Sequence, residues 1–213
     1  MGLRHEVKAA GGVGMRLAKS QRFGDTACME AATGRDGIKI LLISGPGGIG
    51  KSTLSWAISA RLAGSGVAHA AIESDELDRV FPKPTEEELA PLGVSDISAT
   101  TLAALWSVYA SLGRTRLLMS GVFAHPEFDK RWILHAIPGA EITVVRLRAS
   151  DETLAGRIRR REHGEDADGQ IARSLRQSRR MAGGSGAAVD VDTDGKTPAE
   201  LADSILRLAR WDA

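Results

Sequence analysis

From residue 38 onward, apolar positions along the chain alternate between a strand-like and a helical period. IKILLIS at 38–44 is a near-continuous apolar run of strand length, the pattern of a strand covered on both faces of a parallel sheet. A glycine-rich turn follows it. Residues 52–63 then place Leu54, Ile58 and Leu62 on one stripe at helical spacing, and Gly64 and Gly66 end the helix. VAHAAIE at 67–73 predicts a second strand. Pro82, Pro84 and Pro91 make the next stretch rich in loops, with Thr85 and Glu88 spaced as the capping box of a short helix. Leu102, Leu105, Trp106 and Tyr109 restore helical spacing over 99–112. RLLMSGVF at 116–123 predicts a third strand, 129–136 a helix, and EITVVRL at 141–147 a fourth strand.

The last third is polar. Segments 151–161 and 170–181 read as helices dense in arginine, and the polar stretch 162–169 separates them, as in a mobile lid over about 155–183. VDVDT at 189–193 predicts a fifth strand. Thr197-Pro198-Ala199-Glu200 is a capping box with proline at the first helical position, opening a final helix that buries Leu201, Ile205 and Leu208. Strands alternating with helices predict an α/β fold whose parallel sheet is covered by helices. Nothing repeats at 20–50 residues, so 38–213 is expected to form one domain. Residues 1–37, rich in Gly, Ala, Arg and Lys with no sustained period, are predicted to be a disordered extension.

Composition narrows the partners. The 213 residues carry 28 Lys and Arg against 27 Asp and Glu, a net charge of +1, so no global field argues for nucleic acid. Cys28 stands alone, which excludes an intrachain disulfide and offers no metal-ligand spacing. No apolar run approaches the length of a membrane span, and the N-terminal residues lack the pattern of a secretory signal; a cytoplasmic protein is expected.

The turn after the first strand carries the strongest chemical signal. Gly45-Pro46-Gly47-Gly48-Ile49-Gly50-Lys51-Ser52, followed by Thr53, fits G-x-x-x-x-G-K-[ST] at every fixed position, between a predicted strand and a predicted helix. Glycines let successive amides converge on phosphate oxygens, and the helix N-terminus adds its positive dipole end. Lys51 is expected to reach the β- and γ-phosphates of ATP, and Ser52 to ligate Mg2+. A flexible turn that matches by chance is the bland alternative, and the strand and helix around it argue against that.

Glu73-Ser74-Asp75 ends the second strand, and alternate positions put both carboxylates on one side at the edge where α/β sheets bind ligands. Asp75 is assigned to the proton of an attacking hydroxyl and Glu73 to the metal. An acidic helix N-cap would look the same. Arg157 and Arg161, four apart, share a helix face and can offer two guanidinium groups to a phosphoryl-transfer transition state; a solvated face neutralised by Glu152, Glu162 and Glu165 is the alternative.

These segments together resemble a known family. GPGGIGKST, IESDELDR, VVRLRASDETLAGRIRRRE and VDTDGKTPAELADSIL are similar to the small-molecule kinase branch of the nucleoside-monophosphate-kinase-like P-loop proteins, an AAA-type ATP-binding group. The branch includes gluconate, shikimate, adenylylsulfate and chloramphenicol kinases. The resemblance implies a three-layer P-loop NTPase fold with a five-stranded parallel sheet in order 2-3-1-4-5 and an arginine-rich lid. It also implies that the turn after the fifth strand borders the adenine. The third strand ends in Ser120-Gly121 with no Asp, unlike translational GTPases and motor ATPases, and Gly121 is expected to let the acceptor approach. The expected activity is ATP-dependent transfer to a hydroxyl, or a phosphate, of a small metabolite or antibiotic. A nucleotide-gated module without an acceptor is the second reading. A polynucleotide end kinase is the third, weakened by the 4% aromatic content. His125 and His135 lack ligand spacing and read as loop or core histidines. The acceptor's identity and the oligomeric state are not legible.

Overall fold

The computed structural model describes residues 37–94, 96–162, 165–182 and 188–211. The predicted extension at 1–37 lies outside them except for Gly37. β1 (Lys39–Ser44) is followed by α1 (Lys51–Gly64), β2 (Ala70–Glu73), a 3-10 turn at Ser74–Glu76 and α2 (Glu86–Leu89). Then come α3 (Ile97–Ser111), β3 (Arg116–Gly121), α4 (Pro126–Ala136), β4 (Glu141–Arg148), α5 (Asp151–Arg161), α6 (Glu165–Ala182), β5 (Ala188–Asp192) and α7 (Pro198–Ala209). The five strands form one parallel sheet in the order β2-β3-β1-β4-β5.

β1 is apolar at successive positions because both of its faces are covered. Ile40 and Leu42 join Leu102 and Trp106 of α3 and Ile133 of α4 on one side. Leu41 and Ile43 join Leu54, Ile58 and Leu62 of α1 and Ile205 of α7 on the other. Each of these β1 side chains is at most 1% exposed, and full burial of such a group stabilises by about 1.5–3 kcal/mol over leaving it in water. The connection leaving β1 therefore runs to one face and that leaving β3 to the opposite face. Between the carboxyl ends of these adjacent strands a crevice opens, which is where α/β sheets bind ligands.

Both predicted capping boxes are present, Thr85 with Glu88 on α2 and Thr197 with Glu200 on α7. Two expectations change. Leu208 is 37% exposed, and Leu206 with Ala202 takes its place beside Leu201 and Ile205, because the buried stripe of α7 turns by one position. Part of the polar stretch at 162–169 is helical, since α6 starts at Glu165 and only the residues just before it separate α5 from α6. The edge strand β5 is held to β4 by charge as well as by backbone pairing: Arg146 Nε and Nη2 donate to the two oxygens of Asp190 at 2.6 and 3.1 Å. That guanidinium holds the Asp190 carboxyl below its ordinary value of 3.8. Among the described residues, no single helix is long and apolar enough to cross a membrane.

Candidate active site

The loop from Gly45 to Gly50 closes the top of β1 and ends on α1. Gly50 caps that helix at φ 107° and Gly48 sits at φ 76°, both in the left-handed region that favours glycine. A Cβ on Gly48 would stand 2.5 Å from Ile158 Cγ1, so the loop lies directly against α5. No side chain caps α1 and no acidic residue occupies its first turn. Its first amides are thus left for an external acceptor, as an anion site requires. Lys51 folds back across the loop and donates from Nζ to Pro46 O at 3.1 Å. Burial pushes its ammonium below lysine's ordinary 10.5; Asp75 and then Glu73 pull it back up, and Arg161 pushes it down.

That balance reflects one pocket of about 410 Å³, where Lys51 and Ser52 meet Glu73, Asp75 and Arg161. The two carboxylates converge for a reason other than the strand pleat. Glu73 is the last residue of β2, and Asp75 lies within the 3-10 turn that follows, so it is the turn that swings Asp75 round. Gly47 and Gly48 also border the pocket, as does Gly121 at the end of β3. Gly121 serves a packing need as well: a Cβ there would run into Ser74 Oγ and stand 3.2 Å from the Phe123 ring. The missing side chain makes room for the β2 turn. Gly45 backs the loop against Leu147, and Ile49 is 3% exposed in the core beneath it.

Arg157 and Thr53 do not border this pocket. Arg157 Nη1 donates to Ile49 O at 2.9 Å and to Thr193 Oγ1 at 2.8 Å, and Nη2 donates to Thr193 O at 2.9 Å. It is a strut between the phosphate loop and the turn after β5. Arg161 is the arginine of α5 that borders this pocket, and among the described residues its ion-pair partner is Glu162 at 3.7 Å. Thr53 is exposed on α1.

Arg79, Gln170 and Gln177 carried no role in the sequence. Arg79 borders the pocket and pairs with Glu76 at 3.0 Å; its place after the acidic turn was the available signal. Gln170 borders the pocket from α6. Gln177 Oε1 accepts from Gly47 N at 2.8 Å, fastening α6 to the loop across 130 residues of sequence. A polar residue on a helix face gives no sign of so distant a partner. His125 and His135 are exposed, on the loop before α4 and on α4 itself, so neither is a core histidine. Trp56, Phe81 and Phe128 are 73%, 78% and 59% exposed, and none of them borders the pocket.

No curated protein matches the chain. Among solved structures, a gluconokinase from Sinorhizobium meliloti 1021 aligns with a TM-score of 0.50 at 24% identity, over 82% of this chain and 94% of that one. The tunicamycin resistance protein of Deinococcus radiodurans aligns with a TM-score of 0.54 at 19% identity, over 80% and 95%. These likenesses are of fold. Residues 40–183 match the family model described as an AAA domain. That match runs from β1 through the phosphate loop and the carboxylate turn to the arginine-bearing helices, well over half of the chain, and by it the chain belongs to the AAA domain family.

Proposed function

We propose that the chain is an ATP-dependent phosphotransferase that moves the γ-phosphoryl group to a hydroxyl, or a phosphate, of a small acceptor. One observation carries this reading: the phosphate loop, the two carboxylates at the end of β2 and in the turn after it, and Arg161 border the same pocket. A loop that only binds nucleotide has no need of a proton acceptor facing its lysine. In transfer to a hydroxyl, the acceptor oxygen bonds to the γ-phosphorus while the bond from that phosphorus to the bridging β–γ oxygen breaks. The hydroxyl proton passes to the Asp75 carboxylate, and ADP leaves with the bond's electron pair. Lys51 and Arg161, which border that pocket, would neutralise the charge that builds on the transferring oxygens.

Ser52 and Glu73 are the residues that would hold Mg2+. Among the described residues no cluster of three or more His, Cys, Asp or Glu builds a metal cage, and Mg2+ with a nucleotide needs only one or two protein oxygens beside the phosphates. Bound there, the ion supplies charge neutralisation across the β- and γ-phosphates. Arg157 and the turn at Thr193 frame the adenine side, and Gly45 to Ser52 hold the phosphates. The lone Cys28 fits a reducing, cytoplasmic setting.

The experiment is ADP release from Mg-ATP in the presence of pooled metabolites, nucleosides, nucleoside monophosphates and antibiotics, with Lys51→Ala as the blank. Stimulation by one pool is expected. Tight nucleotide binding with no stimulation by any pool would sink the reading in favour of a nucleotide-gated module.

A further inference from the structure

A second, larger cavity of about 820 Å³ adjoins the phosphate pocket, and Gln170 borders both. Its walls are Ala124 and His125, from the loop between β3 and α4, and one face of α6. Arg173, Arg176 and Arg180 stand on that face at spacings of three and four, a single stripe about 10 Å long by helix geometry. Among the described residues no carboxylate borders this cavity, whereas Glu73, Asp75 and Glu162 border the phosphate pocket.

What sets the stripe apart is its place, three arginines along one wall of one cavity. Arg179, one position off it, pairs with Asp151 at 3.1 Å; Arg61 pairs with Asp203 at 3.1 Å, and Arg148 with Asp190 at 3.2 Å. Among the described residues, neither Arg176 nor Arg180 forms an ion pair. Arg173 is steadied by a neutral group, its Nε and Nη2 donating to Gln170 Oε1 at 3.2 and 2.8 Å. An ordinary solvated helix face intersperses both signs of charge, and like charges three and four apart destabilise a helix. On α6, Arg179 is paired with a carboxylate, and the arginines that border the cavity are not.

We infer that this cavity binds an anionic group, a phosphate, sulfate or carboxylate, carried by the same small molecule whose hydroxyl lies toward Asp75. The inference rests on the phosphotransferase reading and narrows it from small acceptors in general to oxyanion-bearing ones. Guanidinium forks grip such oxygens bidentately, and the cavity's size suits a metabolite. The anion takes no part in bond making: the acceptor oxygen still takes the γ-phosphoryl group from ATP, ADP leaves, and the proton goes to Asp75. Among the described residues no Phe, Trp or Tyr borders the cavity, and these are the side chains on which a single-stranded polynucleotide stacks its bases.

The test uses the full chain saturated with Mg2+ and a non-hydrolysable ATP analogue, so that the phosphate loop is filled, and titrates inorganic phosphate. Saturable binding is expected, weakened at least tenfold in R176Q/R180Q, with analogue affinity unchanged within twofold. Absence of saturable phosphate binding, or a double variant within twofold of the parent, overturns the inference. A second arm measures ADP release with matched pairs, a nucleoside against its monophosphate and a sugar against its sugar acid. The anionic member is expected to stimulate, with its KM raised about tenfold in Arg176→Gln and kcat changed far less. Equal stimulation by the neutral members overturns the anionic acceptor and leaves phosphotransfer standing. Arginine-dependent phosphate binding with no stimulation by any acceptor overturns phosphotransfer and reduces the cavity to an anion site. Stimulation by a 5′-hydroxyl oligonucleotide alone overturns the small acceptor in favour of a nucleic acid.

Discussion

Gln177 Oε1 accepts a hydrogen bond from the Gly47 amide at 2.8 Å, so the phosphate loop and α6 are joined directly. Gly47 has no room for a side chain there: a Cβ would stand 2.9 Å from Gln170 Nε2 and 3.2 Å from Ser174 Oγ. Ser174 itself is 1% exposed. The arginine-rich helix thus meets the loop through Gln170, Ser174 and Gln177, polar side chains on one face of α6. Gln177→Ala removes a bond of about 0.5–1.5 kcal/mol and leaves the Gly47 amide to water. The expected result is faster hydrogen exchange throughout α6 and turnover lower by roughly fivefold, since 1.36 kcal/mol in a barrier is about tenfold. Exchange in α6 indistinguishable from the parent would show that the bond does not hold the helix.

Asp75 and Glu73 are separable by what each variant loses. Asp75→Asn keeps the shape and removes the proton acceptor, so turnover should fall by about 10²–10⁴ while the nucleotide Kd changes little. Glu73→Gln should instead shift the Mg2+ dependence of turnover to higher concentration. Full turnover in Asp75→Asn with an identified acceptor would remove Asp75 from the chemistry.

Much of this site is legible in the residues, and the parts that are not share a cause. The phosphate loop is local: eight consecutive residues fix the turn, the amides and the helix start together, so pattern alone finds it. The sheet core is legible too, because burial on both faces writes a continuous apolar run into β1. Arg157 and Arg161 differ only in where a helix face points after it packs. Helical spacing puts them on the same face, but Ile158 settles against Gly48 and aims Arg157 at Thr193. The partnership of Gln177 with Gly47 spans 130 residues and has no local signature. Leu208 was misplaced for the same reason, since contact with the other helices, not the helical period, decides which edge of an apolar stripe is covered.

Gly121 tests packing rather than chemistry. Gly121→Ala drives a methyl group into Ser74, and overpacking of this kind costs typically about 1–3 kcal/mol. Urea unfolding should register that loss, and Ser74→Gly in the same chain should recover more than half of it, the coupling expected of two residues in contact. Equal losses in the single and double variants would show that Ser74 is not the obstacle.

Lys51 predicts a pH dependence whose sign follows from its surroundings. In the free protein, burial lowers its proton affinity below the ordinary 10.5. A bound phosphate stabilises the charged form and raises that affinity again. Nucleotide binding therefore takes up protons at alkaline pH, between the lowered free-state value and the higher bound-state value. Affinity is full below that window and falls as pH rises through it. Calorimetry of ADP binding in two buffers of different ionisation enthalpy measures the uptake directly. Lys51→Arg carries a group that does not titrate in this range, so uptake should vanish while a cation remains at the phosphates. Unchanged uptake in Lys51→Arg would assign the proton to another group and leave Lys51 charged throughout.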